Sequence, residues 1–151
     1  MATDPLRLRA VFDTNAIIAA LKSRNPSSPN AELLRRWEND EFDLLYSSDL
    51  RAEYIEKFSA RDVAVERGRR FLQTLDQRGI VIQVSPSQVV PVILTDPDDD
   101  LILACAVTGA ATHLVTYDPH FDLLGDAYHA IQIVRPLEFL YLVRGDAPSN
   151  P

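Results

Sequence analysis

Residues 96–118 read DPDDDLILACAVTGAATHLVTYD. Three signals follow one another here. A run of acids opens an apolar helix at Asp98 or Asp99, and acids suit a first turn because they face the positive end of the helix dipole. Gly109 closes that helix, with Ile102, Leu103 and Ala106 on the side that must be buried. THLVTY (112–117) then reads as a buried strand that delivers Asp118 at its end. A helix feeding an apolar strand that ends on a carboxylate belongs to an α/β sheet, where ligands gather at the carboxyl ends of the strands.

The same pattern appears at the front of the chain. LRAVF (8–12) is a strand, followed at once by Asp13 and by the apolar helix TNAIIAAL (14–21). KSRNPSSPN (22–30) is a loop by its Pro, Ser and Asn content. Asn30 is placed to cap a helix carrying Leu33, Leu34 and Trp37 on its apolar face. FDLLYS (42–47) is a second strand, and Ser48 is placed to cap DLRAEYIEKF, where Leu50, Tyr54 and Phe58 recur at helical spacing. A longer helix is expected over 62–78, stopped by Gly79, and then the strand IVIQV (80–84). The three-proline segment 85–97 is an irregular connection, and AIQIV (130–134) is a fifth strand, followed by a helix that Pro136 starts. These elements predict a three-layer α/β/α sandwich around a mostly parallel five-stranded sheet, in one domain over 1–144 with a disordered tail over 145–151. No internal repeat or linker divides the 151 residues.

Composition narrows the class. No apolar run reaches the 18 or so residues that a spanning helix needs. The N-terminus carries no apolar signal core, which argues against secretion. Cys105, the single cysteine, excludes an internal disulfide and suits a cytoplasmic protein. The formal charge of −7 argues against a surface that coats nucleic acid at large. That charge is unevenly spread, however. Residues 79–134 contain no Lys or Arg, while 49–78 carry seven basic and six acidic residues.

Four carboxylates stand beside apolar elements: Asp13, Glu53, Asp99 and Asp118. Taken singly, each has an ordinary reading. Asp13 caps a helix, Glu53 is a surface-helix acid, Asp99 is first-turn charge, and Asp118 before Pro119 is a turn residue. Taken together at strand ends, they form a cluster that repels itself unless a cation is present. All-oxygen ligands favour Mg²⁺ or Mn²⁺, and such ions activate water and steady charge on a phosphodiester. Thr14 and Asn15 stand where they would orient a carboxylate or a water.

VFDTN (11–15), SSDLRAEY (47–54) and residues 96–118 together resemble the PIN-domain family, in its branch of toxin components of toxin–antitoxin pairs. The resemblance runs from about Arg9 to Val134. It implies a metal-dependent endoribonuclease whose acids fall on Asp13, Glu53, Asp99 and Asp118, with one or two Mg²⁺ or Mn²⁺ ions. The third acid stands three residues before Ile102, and the fourth closes a Val-Thr-x-Asp strand. Asp96 and Asp98 crowd Asp99 and are auxiliary candidates; Asp122 is the nearest acid after Asp118 and is at most an outer ligand. Tyr117 stands where relatives often carry a small residue, either narrowing the cleft or serving as a plain strand-end aromatic. The resemblance further implies an RNA substrate, products with 5′-phosphate and 3′-hydroxyl ends, a small antitoxin partner, and a homodimer. Lys22, Arg24, Arg51, Lys57, Arg61, Arg67, Arg69 and Arg70 are candidate phosphate contacts, and His113, His120 and His129 read as structural or surface groups.

Three other readings stand beside this one. A haloacid-type phosphatase also begins with a strand ending in Asp, but it wants a second Asp two residues on, and position 15 is Asn. A non-catalytic interaction module would keep the fold and the acids. A nucleotide-binding fold lacks its Gly-rich loop here.

Overall fold

The computed structural model of the chain describes residues 7–92 and 96–146. The six-stranded sheet has the order β3-β2-β1-β4-β6-β5, formed by β1 (Arg9–Phe12), β2 (Asp43–Tyr46), β3 (Ile80–Val81), β4 (His113–Val115), β5 (Ala127–Tyr128) and β6 (Ile131–Val134). All neighbours pair in parallel except β5 with β6. Six helices cover it: α1 (Thr14–Lys22), α2 (Pro29–Glu38), α3 (Ser48–Ala60), α4 (Val65–Arg78), α5 (Pro97–Thr108) and α6 (Pro136–Arg144). The result is the three-layer, mostly parallel α/β/α sandwich that the sequence predicts.

The central strands are apolar on both faces because both are covered. Ala10, Val11 and Phe12 of β1 are all buried. On one side Phe12 stacks on Phe42 and meets the edge of Phe139 from α6. α5 packs against β1, β2 and β4, and Ile102, Leu103 and Ala106 are buried as the sequence requires. Trp37 and Phe58 are core residues that both meet Phe71 of α4. Among the described residues, no helix is long and apolar enough to cross a membrane.

The differences from expectation are local. The sheet has six strands rather than five, because Ala127–Tyr128 folds back antiparallel on β6 through a two-residue turn. Both turn residues, His129 (φ 50°) and Ala130 (φ 64°), have positive φ. A tight hairpin turn of that kind usually announces itself through Gly or Asn, and His-Ala does not. Ser28 rather than Asn30 caps α2, with Pro29 at the first helical position, and Ser47 rather than Ser48 caps α3. α4 begins at Val65 because Asp62 (φ 56°) breaks the chain from α3. β3 is confined to two residues, and the chain then leaves the sheet towards a single 3-10 turn at Pro86–Gln88. Gly145 (φ 76°) closes α6; of the expected tail, residues 147–151 lie outside the described residues.

The chain winds from β1 outward to β2 and β3, then crosses back to β4 on the other side of β1. β1 and β4 therefore flank the point where strand order reverses, the usual place for a crevice at the carboxyl edge. Asp13 directly follows β1, and Asp118 lies three residues past β4.

Candidate active site

A cleft of about 140 Å³ opens at that crevice, lined by Asp13, Glu53, Asp96, Asp98, Asp99 and Asp118. Thr14 and Asn15 also line it, and Lys57 and Arg61 stand among the acids. The four candidate acids therefore meet in one place. Asp122 does not line the cleft; its carboxylate pairs with Arg135 at 3.2 Å.

Asp13 is 5% exposed, and both of its oxygens are engaged. Oδ1 accepts the Thr14 N–H at 2.7 Å and so caps α1, while Oδ2 accepts the Thr116 hydroxyl at 2.7 Å. Its own N–H donates to the Val115 carbonyl at 2.9 Å, extending the β1–β4 ladder by one rung. Burial raises its pKa; the two hydrogen bonds oppose this, and Asp118 and Asp96 add to the rise. The helix-cap reading of Asp13 and its place in the cluster are thus the same geometry.

Asp99 is 4% exposed and sits in the first turn of α5, whose cap is Asp96. Burial pushes its pKa up to about 7, with His120 opposing and Asp118, Asp96 and Asp13 reinforcing. Asp100, next in sequence, points elsewhere: its Oδ1 accepts the Val92 N–H at 2.9 Å. That bond turns Asp100 towards the preceding segment, while Asp96, Asp98 and Asp99 all line the cleft. Glu53, on α3, is pushed up to about 7, chiefly by burial, with the Thr14 hydroxyl opposing. The Thr14 oxygen is itself buried and approaches Glu53 without forming a good hydrogen bond.

Two residues of the site were not foreseen. Thr116, fully buried, donates to Asp13 and accepts the Asp118 N–H at 2.9 Å, tying the first acid to the fourth. The Val-Thr-x-Asp pattern contains this threonine, but a threonine in a strand signals strand propensity and no further role. His120, which the sequence reading takes as a structural or surface group, brings Nδ1 to 3.0 Å from Asp99 and 3.2 Å from Asp118. Those carboxylates raise its pKa, the hydrogen bond to Asp99 first. By contrast His113 is a structural group, buried against Phe139 and bonded to Thr112. Tyr117 does not line the cleft; its hydroxyl accepts from Asn30 on α2 at 2.6 Å.

Donor atoms of Asp96, Asp99, Asp118 and His120 lie within 4.8 Å of one another. Burial first, and then the neighbouring acids, raise the pKa values of Asp99 and Glu53 to about 7 although His120 and Lys57 oppose the rise, which leaves the cluster short of positive charge. A divalent cation supplies that charge, so the donor set fits a metal bound mainly through oxygen.

A family model of the PIN domain matches residues 9–120. The chain belongs to the PIN-domain family. Among solved structures, this PIN domain is similar to the crystal structure of VapBC2 from Rickettsia felis bound to a DNA fragment from their promoter. The likeness has 19% identity and a TM-score of 0.57, over 83% of this chain and 98% of that one. It is similar also to the crystal structure of FitAcB from Neisseria gonorrhoeae, at 15% identity and a TM-score of 0.52, over 84% and 97% of the two chains. At these identities the likeness is one of fold. No curated protein sequence matches.

Proposed function

We propose that this PIN domain is a metal-dependent endoribonuclease that hydrolyses RNA phosphodiester bonds, and that it is the toxin of a toxin–antitoxin pair. The observation that carries the reading is the meeting of Asp13, Glu53, Asp99 and Asp118 in one cleft at the sheet's switch point. Those four would hold Mg²⁺ or Mn²⁺, with Asp96 and His120 beside Asp99 and Asp118 and with Asp98 also lining the cleft. Bound there, such a cation supplies an activated water and stabilises charge on the phosphoryl group in transfer.

The chain's own residues prepare that chemistry. Thr116 and the α1 backbone hold Asp13 by both oxygens, which fixes the carboxylate before any ligand arrives. The buried Thr14 hydroxyl has a free hydrogen-bonding position to offer a water or a ligand carboxylate. Lys57 and Arg61 are the cationic lining of the acidic cleft among the described residues and would meet the phosphates flanking the scissile bond. The resemblance to the toxin branch, together with the likeness to the VapBC2 complex, supports a small antitoxin partner; a homodimer belongs to the same reading.

Calorimetric titration of Mn²⁺ into wild type, Asp13→Asn and Asp99→Asn tests this, followed by RNA cleavage with the same three proteins. Saturable binding and cleavage that both substitutions abolish are expected. An absence of both, repeated with RNA present during the titration, would leave a non-catalytic interaction module. A phosphoaspartate trapped on Asp13 would instead establish a phosphatase.

A further inference from the structure

The distribution of ion pairs divides the basic residues into two groups. Of fifteen lysines and arginines, seven arginines lie within 4 Å of a carboxylate. The other eight form no ion pair among the described residues, and they are not scattered. Lys57 and Arg61 line the acidic cleft. Arg24, Arg35, Arg67 and Arg70 line a second, larger groove of about 380 Å³ between α1, α2 and α4, with Glu38 as the acid of its lining. Lys22 stands between the two, and Arg78 alone lies elsewhere, at the end of α4.

The cleft and the groove lie at opposite ends of α1. Thr14 and Asn15 at the start of α1 line the cleft, while Leu21 and Ser23 at its end line the groove. At 1.5 Å per residue that helix spans only about 13 Å. Lys22 Nζ donates to the Arg61 carbonyl at 2.8 Å, and Arg67 donates to the carbonyls of Leu21 and Ser23 at 2.8 and 3.1 Å. Both cations are therefore held in place by neutral carbonyls, which position them without cancelling their charge. On a chain of formal charge −7, these seven cations have no carboxylate within 4 Å among the described residues, and five of them stand away from the acidic cleft, a local positive field on an otherwise repelling surface.

We infer that this line, from Lys57 and Arg61 through Lys22 to the Arg24–Arg35–Arg67–Arg70 groove, is the track along which a single RNA strand runs into the acidic cleft. The inference rests on the nuclease reading for what happens in the cleft. The track itself is a claim about binding. A strand's phosphates meet cations spaced along the line, and with no aromatic platform in the groove beyond the edge of Phe71, the grip is electrostatic and reads no sequence. It also explains how so acidic a protein would engage a polyanion: the acids face the cation site, and the free arginines face the strand.

The test is the triple variant Arg24→Gln, Arg35→Gln, Arg70→Gln, all three being exposed side chains that form no ion pair among the described residues. Both this variant and its parent carry Asp13→Asn, so that the RNA stays intact, and each is titrated against a fluorescent single-stranded RNA at several salt concentrations. An unchanged melting profile controls for folding. At low salt the triple variant is expected to bind at least about tenfold more weakly, with a log–log salt slope shallower by about 2, at roughly 0.7 per single-strand phosphate contact. Equal affinity and slope in the two proteins would overturn the track and point to a protein partner for the groove. If wild type cleaves RNA while that equality holds, the nuclease reading survives and the track falls. If wild type never cleaves but the triple variant loses binding, the track stands and the nuclease reading falls.

Discussion

The Thr116 hydroxyl donates to Oδ2 of Asp13 at 2.7 Å and is at once the acceptor for the Asp118 N–H at 2.9 Å. One buried side chain just past β4 thus holds the acid at the end of β1 and sets the turn that carries the acid beyond β4. Thr116→Val keeps the shape and removes the hydroxyl. Asp13 then keeps one buried oxygen without a donor, and the Asp118 N–H loses its partner. A loss of about 1–3 kcal/mol in urea unfolding at neutral pH is expected. The same substitution should weaken Mn²⁺ binding, because the carboxylate is no longer pre-positioned. A fully stable variant with wild-type metal affinity would show that Thr116 only fills space.

Metal-free protein should lose stability as pH rises from about 4 to about 7. Asp99 and Glu53 have folded pKa values near 7, against ordinary values of 3.8 and 4.5. In that window the folded state binds more protons than the unfolded state, so stability falls with rising pH. His120, also raised in the folded state, adds a contribution of the same sign. Divalent metal binds the deprotonated carboxylates and must displace those protons, so its affinity rises over the same window and levels off above pH 7. Thermal melts with chelator and with Mn²⁺ across pH 4.5–8 check this, values chosen to bracket the shifted groups. Asp99→Asn should flatten the chelator curve. A metal-free stability that instead climbs steadily through pH 7 would mean that these carboxylates are ionised and compensated within the protein.

How much of this was legible depends on whether a residue advertises itself locally. Asp13, Asp99 and Asp118 do, because each interrupts or borders an apolar run that must be buried, and a carboxylate there demands an explanation. The strands and helices around them follow from the same runs. Thr116 does not advertise itself, since a threonine in a strand satisfies strand propensity and nothing more; its role exists only once β1 lies beside β4. His120 follows Pro119 in a segment with the composition of a loop, and only the 3-10 turn that Asp118 caps brings its ring back to α5. The antiparallel β5 escaped for a third reason: two residues cannot show alternation, and its turn uses His and Ala where Gly or Asn would have marked positive φ.

His120 offers a nitrogen to a site otherwise built from carboxylates. Imidazole suits transition metals better than Mg²⁺, which prefers oxygen throughout. His120→Ala is therefore expected to weaken Mn²⁺ binding several-fold while leaving Mg²⁺ binding nearly unchanged, in a competition titration followed by Mn²⁺ paramagnetic resonance. Nitrogen coupling in the wild-type spectrum, absent from the variant, would identify the ring as a ligand. Equal loss for both ions would mean that the ring acts only by positioning Asp99 and Asp118.

On the acid side, a different residue governs. Glu32 of α2 accepts from Arg36 on its own helix and from Arg144 at the end of α6, and these arginines hold its pKa down to about 2. Its folded value is depressed below the ordinary 4.5, so it contributes stability above that value and loses it as pH falls from about 4.5 towards 2. The arginines are about a third exposed, so solvent screens the pairs and the contribution is discounted to about 1 kcal/mol. Glu32→Gln should lower stability by about that amount at pH 7 and by nearly nothing at pH 2, opposite in pH sense to Asp99→Asn. High salt should shrink the difference. A Glu32→Gln penalty that persists at pH 2 would mean that the residue joins α2 to α6 through packing rather than charge.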